Sequence, residues 1–329
     1  MTLPFRFRSI PPGAVAPPSK SVTALAHVAR SGRFGVDRRP GDLYMMCPTF
    51  DRYVRPAGFP QHMHPFQSVI LLAAVAAAAG CGAVPSAEQA QQSMKQYELA
   101  VGLREEGNVA DAYRALHRAL ELDPNNAYAH LLIAKMFLLS RAESTAENDK
   151  KAEEHYLRVV RLGTEPERPR HDLVVEAQND LGVLYIHRER YADAIRQLSA
   201  AANNLFNRHA HFAWGNLGWA YYLAADYDSA LTALSRAVKL HRHFCVGYFR
   251  LGKTYVAKGD HQRAEEAFTH ALQADERCRH FQEAWHLRGE SRAHLKHRKD
   301  AIGDFERCVE LGAYTAAGQA CSRYLEASH

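Results

Sequence analysis

Side chains able to do chemistry are common along the 329 residues, but few fall in a pattern that chemistry would need. Six cysteines occur, Cys47, Cys81, Cys245, Cys278, Cys308 and Cys321, and none has the short paired spacing of a zinc ribbon or a redox CxxC motif. Histidine is abundant, and two His-x-His pairs, His209/His211 and His241/His243, stand at comparable places in the chain. A metal ion needs a third or fourth ligand, and nothing at a defined spacing supplies one. The pairs read as solvated linker residues, with no metal and no cofactor expected. Neither GxSxG, GxxxxGKS/T, HExxH nor GxGxxG occurs, so no nucleophile with a base and no phosphate-cradling loop is identified. No catalytic residue and no small-molecule substrate is expected, and the chain reads as a binding scaffold instead of an enzyme.

Charge removes a further class of function. The chain carries 41 Lys and Arg against 36 Asp and Glu, but residues 1–80 hold nine of the basic side chains and three of the acidic ones. From residue 81 onward 32 basic and 33 acidic side chains balance, which offers no electrostatic footprint for nucleic acid.

Cys81 is the one cysteine in a recognisable setting. Val69 to Ala79 reads VILLAAVAAAA, an apolar run followed by Gly80, Cys81 and Gly82. The run is too short to span a bilayer, which takes about 20 apolar residues. Its length suits the apolar centre of a secretory signal, and small residues just before a cysteine resemble a bacterial lipobox. The thiol of Cys81 would carry diacylglycerol and the freed amine a further acyl chain, and two or more chains anchor stably. Ala78 stands where such signals usually carry Leu, and Gly82 stands where a retention signal for the inner membrane would place Asp. An ordinary signal peptide, or a buried helix ending at an incidental Cys, is the alternative. Residues 1–62, rich in Pro and Arg and without periodicity, are read as a disordered extension or as the product of a misplaced start codon, with Met63, Met46 or Met45 as other starts. The expected division is therefore 1–62 extension, 63–81 lipoprotein signal, 82–92 polar tether and 93–325 folded domain.

The folded domain is set by internal repetition. Leu-Gly pairs at Leu181-Gly182, Leu217-Gly218 and Leu251-Gly252 lie 36 and 34 residues apart, with Tyr three residues after each Gly and Ala twelve after it. The fullest copy has Trp214, Leu217, Gly218, Tyr221, Tyr227, Ala230, Leu234 and Ala237. This is the tetratricopeptide pattern, in which small residues let two antiparallel helices approach while large ones fill the space between hairpins. Three weaker copies flank the good ones. The first runs from about Ser93 with Leu99, Leu103, Gly107, Ala112, Leu116 and Ala119; the second starts near Ala127 with an insertion around Arg141 to Lys150; the sixth has Trp285, Gly289, Ala301 and Phe305 but places Arg288 where Leu is expected, as a terminal repeat with one wet face. Gly163 to Arg170, with Pro166 and Pro169, is the expected place for a bend. The fold class expected is all-α, a superhelix of about six hairpins with Thr315 to Leu325 as a capping helix.

In an exported chain the late cysteines are candidates for disulfides. Cys245 with Cys278, at the two ends of the fifth repeat, and Cys308 with Cys321 are the favoured pairs, with buried free thiols as the alternative. For a partner, the first helix of each hairpin lines the concave side of such a stack through its second, fifth, ninth and twelfth positions. Those positions give Tyr128, Leu131 and Leu138, then Phe212, Gly215, Trp219 and Tyr222, then Val246, Phe249, Lys253 and Val256. A groove through Tyr128, Leu131, Phe212, Trp219, Tyr222, Phe249 and Val256 suits an amphipathic helix or an extended apolar segment. Packing between hairpins or against the N-terminal tether is the alternative role for the same residues.

A lipobox followed by six such hairpins resembles the outer-membrane lipoproteins that serve as pilotins for type IV pilus secretins, the PilF/PilW/Tgl type. The stretches Asn216-Leu217-Gly218-Trp219-Ala220-Tyr221-Tyr222 and Phe244-Cys245-Val246-Gly247-Tyr248 carry the resemblance most closely. It implies a protein held by lipid on the periplasmic side of the outer membrane, binding secretin subunits and promoting their multimerisation in pilus biogenesis and twitching or social gliding motility. The alternative is a periplasmic tetratricopeptide scaffold serving cell-wall or outer-membrane protein assembly.

Overall fold

In the computed structural model, which describes residues 84–139, 146–164 and 169–327, the recurring small residues decide how the helices meet. The glycines Gly182, Gly218, Gly252 and Gly289 each face a large side chain sixteen residues further on, Leu198, Leu234, Phe268 and Phe305. A Cβ on Gly218 would stand 2.5 Å from Leu234 Cγ, closer than two carbons can approach, so glycine there permits the tight crossing.

Six antiparallel hairpins follow: α1 (Ala87–Glu105) with α2 (Val109–Leu122), α3 (Ala127–Leu139) with α4 (Ala146–Gly163), α5 (His171–His187) with α6 (Tyr191–Asn203), α7 (Ala210–Leu223) with α8 (Tyr227–Leu240), α9 (Cys245–Ala257) with α10 (His261–Gln273), and α11 (Gln282–His294) with α12 (Arg298–Leu311). A 3-10 turn, Glu276–His280, precedes α11, and α13 (Ala316–Ala327) packs on α12 and α11. No strand occurs among the described residues.

The turn inside the hairpin is as regular as the packing. In five hairpins the same position adopts the left-handed conformation: Gly107, Glu189, Ala225, Gly259 and Lys296, with φ of +82°, +57°, +61°, +74° and +65°. The next N–H then donates to a carbonyl five residues back, as Asn108 to Leu103 and Asp226 to Tyr221 at 2.8 and 2.9 Å, closing the helix end. Asn108, Asp226 and Asp260 go on to cap the second helix, accepting from the third N–H of it.

Several sequence expectations are corrected. The first helix begins at Ala87, inside the stretch read as tether, because Ser86 and Gln89 form a reciprocal capping box that starts it there. Residues 146–150, read as part of the insertion, extend α4 to 18 residues. The expected bend falls at a segment of which 165–168 lie outside the described residues; on either side of it, α4 and α5 share one core through Val159, Leu162, Leu173 and Ala177. Arg288 is not wet. It is 7% exposed and paired to the buried Asp304 through two hydrogen bonds of 2.9 and 2.7 Å.

Disulfides join Cys245 to Cys278 and Cys308 to Cys321, with Cα–Cα distances of 6.2 and 6.3 Å. The first ties the start of α9 to the 3-10 turn and the second ties α12 to α13. Cys81, Cys47 and the apolar run at 69–79 lie outside the described residues.

Candidate functional site

Glycine again decides the local geometry. Gly215 leaves room for the ring of Phe244, whose Cε1 would stand 2.6 Å from an added Cβ, and this lets α9 approach α7 closely. The backbone carbonyl of Gly215 then accepts from Arg250 Nη1 at 2.9 Å, and the same nitrogen donates to Asn216 Oδ1 at 3.0 Å. With Arg250 held there, the first helices of the fourth and fifth hairpins bring Trp219, Tyr222, Phe249 and Lys253 together.

Trp219 and Tyr222 stack at 4.7 Å between centroids with their planes 10° apart. The Lys253 ammonium lies 5.3 Å from the centre of Trp219, 5.9 Å from Tyr222 and 5.7 Å from Phe249, and the Arg250 guanidinium lies 5.4 Å from Trp219. Each distance is within reach of a cation–π attraction. Burial pushes Arg250 down to about 10. Burial also lowers Lys253, opposed by Glu283 at the start of α11 and reinforced by Arg250.

From Arg250 a chain of polar side chains crosses the first helices toward the N-terminal end. Asn216 Nδ2 donates to Asn179 Oδ1 at 3.1 Å, and Asn179 Nδ2 donates to Asp180 Oδ1 at 3.3 Å. Lys135 pairs with Glu176 and stands 3.9 Å from Asp180. Tyr156, 1% exposed, donates its hydroxyl to Asp180 Oδ2 at 3.5 Å. Burial pushes Asp180 up to about 6, with Lys135 opposing and Glu176 reinforcing the shift.

The residues expected to line the groove divide into three groups. Trp219 and Tyr222 are half-buried and form the aromatic centre just described. Leu131 and Phe249 are 6% and 7% exposed; they are packed beneath the face, because the fifth position of the first helix points into the neighbouring hairpin as well as toward the groove. Val256, half-buried, packs against the core of the fifth hairpin. Tyr128 stands at the other end, 5.6 Å from Tyr97 and with Arg170 5.0 Å over its ring. Phe212 is half-exposed but apart from Trp219, packed edge-on against Phe244 at 5.5 Å and against His211.

His211 is not a solvated linker residue. It stacks on His241 at 4.5 Å and 17°, and burial, then His241 and His209, push it down to about 4. No cluster of three or more metal-ligating side chains occurs among the described residues. Sequence reasoning missed the polar chain, although its members other than Tyr156 occupy first-helix positions two, five, six and nine. Reading the sixth position beside the others would have found Asp180, Asn216 and Arg250.

Three tetratricopeptide-repeat family models match the chain, over residues 97–164, 216–243 and 247–278. Protein bimA of Emericella nidulans is 34% identical over 74 residues, 22% of this chain, and the chain spans only 9% of that protein's length. Two solved structures share the fold over most of the described residues. PilW, a widely conserved type IV pilus biogenesis factor, superposes with a TM-score of 0.56 at 17% identity, covering 69% of this chain and 96% of PilW. PilF of Pseudomonas aeruginosa superposes with a TM-score of 0.57 at 17% identity, covering 74% of this chain and all of PilF.

Proposed function

We propose that this tetratricopeptide-repeat protein is a lipid-tethered scaffold of the outer membrane, facing the periplasm, that binds subunits of the type IV pilus secretin and promotes their multimerisation. The observation that carries the reading is the first-helix face of hairpins four and five, where stacked Trp219 and Tyr222 stand beside two cations. Stacked aromatics and a desolvated charge are what partner binding concentrates in small areas. The likeness of fold to PilW and PilF, over nearly the whole length of each, supports the pilus assignment. An acylated Cys81 would confine the scaffold to the membrane where secretin subunits arrive, raising their local concentration without any further contact. A periplasmic scaffold for cell-wall or outer-membrane protein assembly is the second reading, since the tetratricopeptide-repeat models that match the chain specify no partner.

The test is a strain lacking the gene, complemented with wild type, with Trp219→Ala/Tyr222→Ala, or with Cys81→Ser. Wild type should restore heat-resistant secretin multimers and surface pili. The groove variant should fail while remaining helical, and Cys81→Ser should leave the membrane fraction. Secretin multimers that form normally without the gene would overturn the pilus reading, and altered cell shape in that strain would favour the second.

A further inference from the structure

Three cations on the first helices are matched by carboxylates. Lys135 has Glu176 and Asp180, Arg288 has Asp304, and Arg292 has Glu265 and Asp304. Arg250 and Lys253, side by side on the aromatic face, are not. Among the described residues Arg250 donates only to two neutral oxygens, those of Gly215 and Asn216, and Lys253 makes no ion pair or hydrogen bond, resting on three aromatic rings. Glu283, exposed, acts on Lys253 through its charge and does not reach it as an ion pair. Holding two cations partly out of water without a counter-charge costs free energy that an incoming anion would offset.

We infer that Arg250 and Lys253 form the receptor for a side-chain carboxylate of the partner, an Asp or Glu within a segment whose adjacent apolar residue lies on Trp219 and Tyr222. Charge complementarity selects the acid, and the stacked rings select its neighbour. A carboxylate within a segment fits better than one at a chain end, because further first helices flank this point in both directions, α5 against α7 and α11 against α9. A segment lying along them crosses the two cations in its middle. The inference deepens the proposed function and rests on its premise that this face binds the partner. It refines the apolar segment expected from sequence into an apolar segment with one acid.

The experiment exposes the chain from residue 82 onward, disulfides intact, to a randomised pool of dodecapeptides blocked at both ends, and in parallel to a pool with free C-terminal carboxylates. Selected blocked peptides should carry Asp or Glu next to an aromatic or aliphatic residue. Changing that acid to Asn or Gln should weaken binding about tenfold, the scale of one charge-assisted contact. Lys253→Met and Arg250→Gln should each erase the preference for acid over amide, and Lys253→Arg should retain it. Enrichment without acids, enrichment confined to the free-carboxylate pool, or an acid preference that survives both Lys253→Met and Arg250→Gln would overturn the inference. Trp219→Ala separates the two layers: if it leaves all peptide binding intact the face itself is not the site, whereas loss of binding in Trp219→Ala with unchanged acid preference in the cation variants removes the carboxylate receptor alone.

Discussion

The fourth and sixth hairpins solve one packing problem in two ways. In the fourth, Leu217 of α7 packs beside Ala233 of α8, both 2% exposed; in the sixth, the equivalent positions hold Arg288 and Asp304, at 7% and 2%. The helix crossing is the same in both, Gly218 against Leu234 and Gly289 against Phe305. The repeat therefore accepts an ion pair where it normally has an aliphatic contact, provided both members change together. Arg288 alone would be a buried unpaired charge. With Asp304 accepting from it twice and from Arg292 once, and Arg292 also held by Glu265 of α10, the pair becomes the joint between hairpins five and six.

The largest effect should come from breaking that joint on one side. Asp304→Ala should destabilise the C-terminal hairpin by about 3–5 kcal/mol, because it strands Arg288 in the interior. The double variant Arg288→Leu/Asp304→Ala, which restores the arrangement of the fourth hairpin, should be neutral or up to about 4 kcal/mol more stable. Urea unfolding of both variants measures the contrast, and equal losses in the two would mean that the ion pair and the aliphatic contact are not interchangeable.

Next in size are the disulfides, which brace the sixth hairpin and its neighbours and leave the fourth untouched. Closing loops with sequence separations of 33 and 13 is worth about 3.5 and about 3 kcal/mol by chain entropy. Cys308→Ser/Cys321→Ser should speed hydrogen exchange in α12 and α13 while α7 and α8 keep their protection, as expected of a stack in which each repeat contacts its neighbours.

A smaller effect should be the same in both hairpins. Ala225 and Lys296 hold the left-handed turn at φ +61° and +65°, a conformation that costs a residue with a Cβ about 1–2 kcal/mol. Glycine recovers that but loses about 0.5–1 kcal/mol of unfolded-chain entropy. Ala225→Gly and Lys296→Gly should each raise the unfolding midpoint slightly and by similar amounts; a gain in one alone would show that their turns differ.

A further effect is expected with pH. His211, beside the fourth hairpin's first turn, falls from 6.5 to about 4 on folding, so its contribution is fully present above pH 6.5 and is lost as pH falls toward 4. Asp180 rises from 3.8 to about 6, so its contribution runs the other way and is lost as pH rises through that window. His211→Gln should therefore flatten the acid loss of stability, and Asp180→Asn should steepen it, read as midpoint against pH.

How much was legible in advance varied with how local the determinant was. Hairpins three to five were readable because each determinant, Leu-Gly, Tyr and Ala at set distances, lies within one repeat. The start of α1 was missed because its signal is a four-residue cap, Ser86 to Gln89, set inside a polar stretch that looks like a linker. Arg288 was misread because a lone Arg at a Leu position looks solvent-facing until its partner sixteen residues away is placed beside it. Leu131 and Phe249 were assigned to the open face because a first-helix position fixes a direction along the helix and not the depth at which a neighbour covers it.

The sequence by itself determined the repeat, the number of hairpins and the small residues that let paired helices approach, since all of these follow from side-chain size at fixed spacing. Only the tertiary structure decided which charges would be matched. Ion pairing depends on distances between side chains of different helices, and it left Arg250 and Lys253 on the aromatic face without a carboxylate while Lys135, Arg288 and Arg292 each found one.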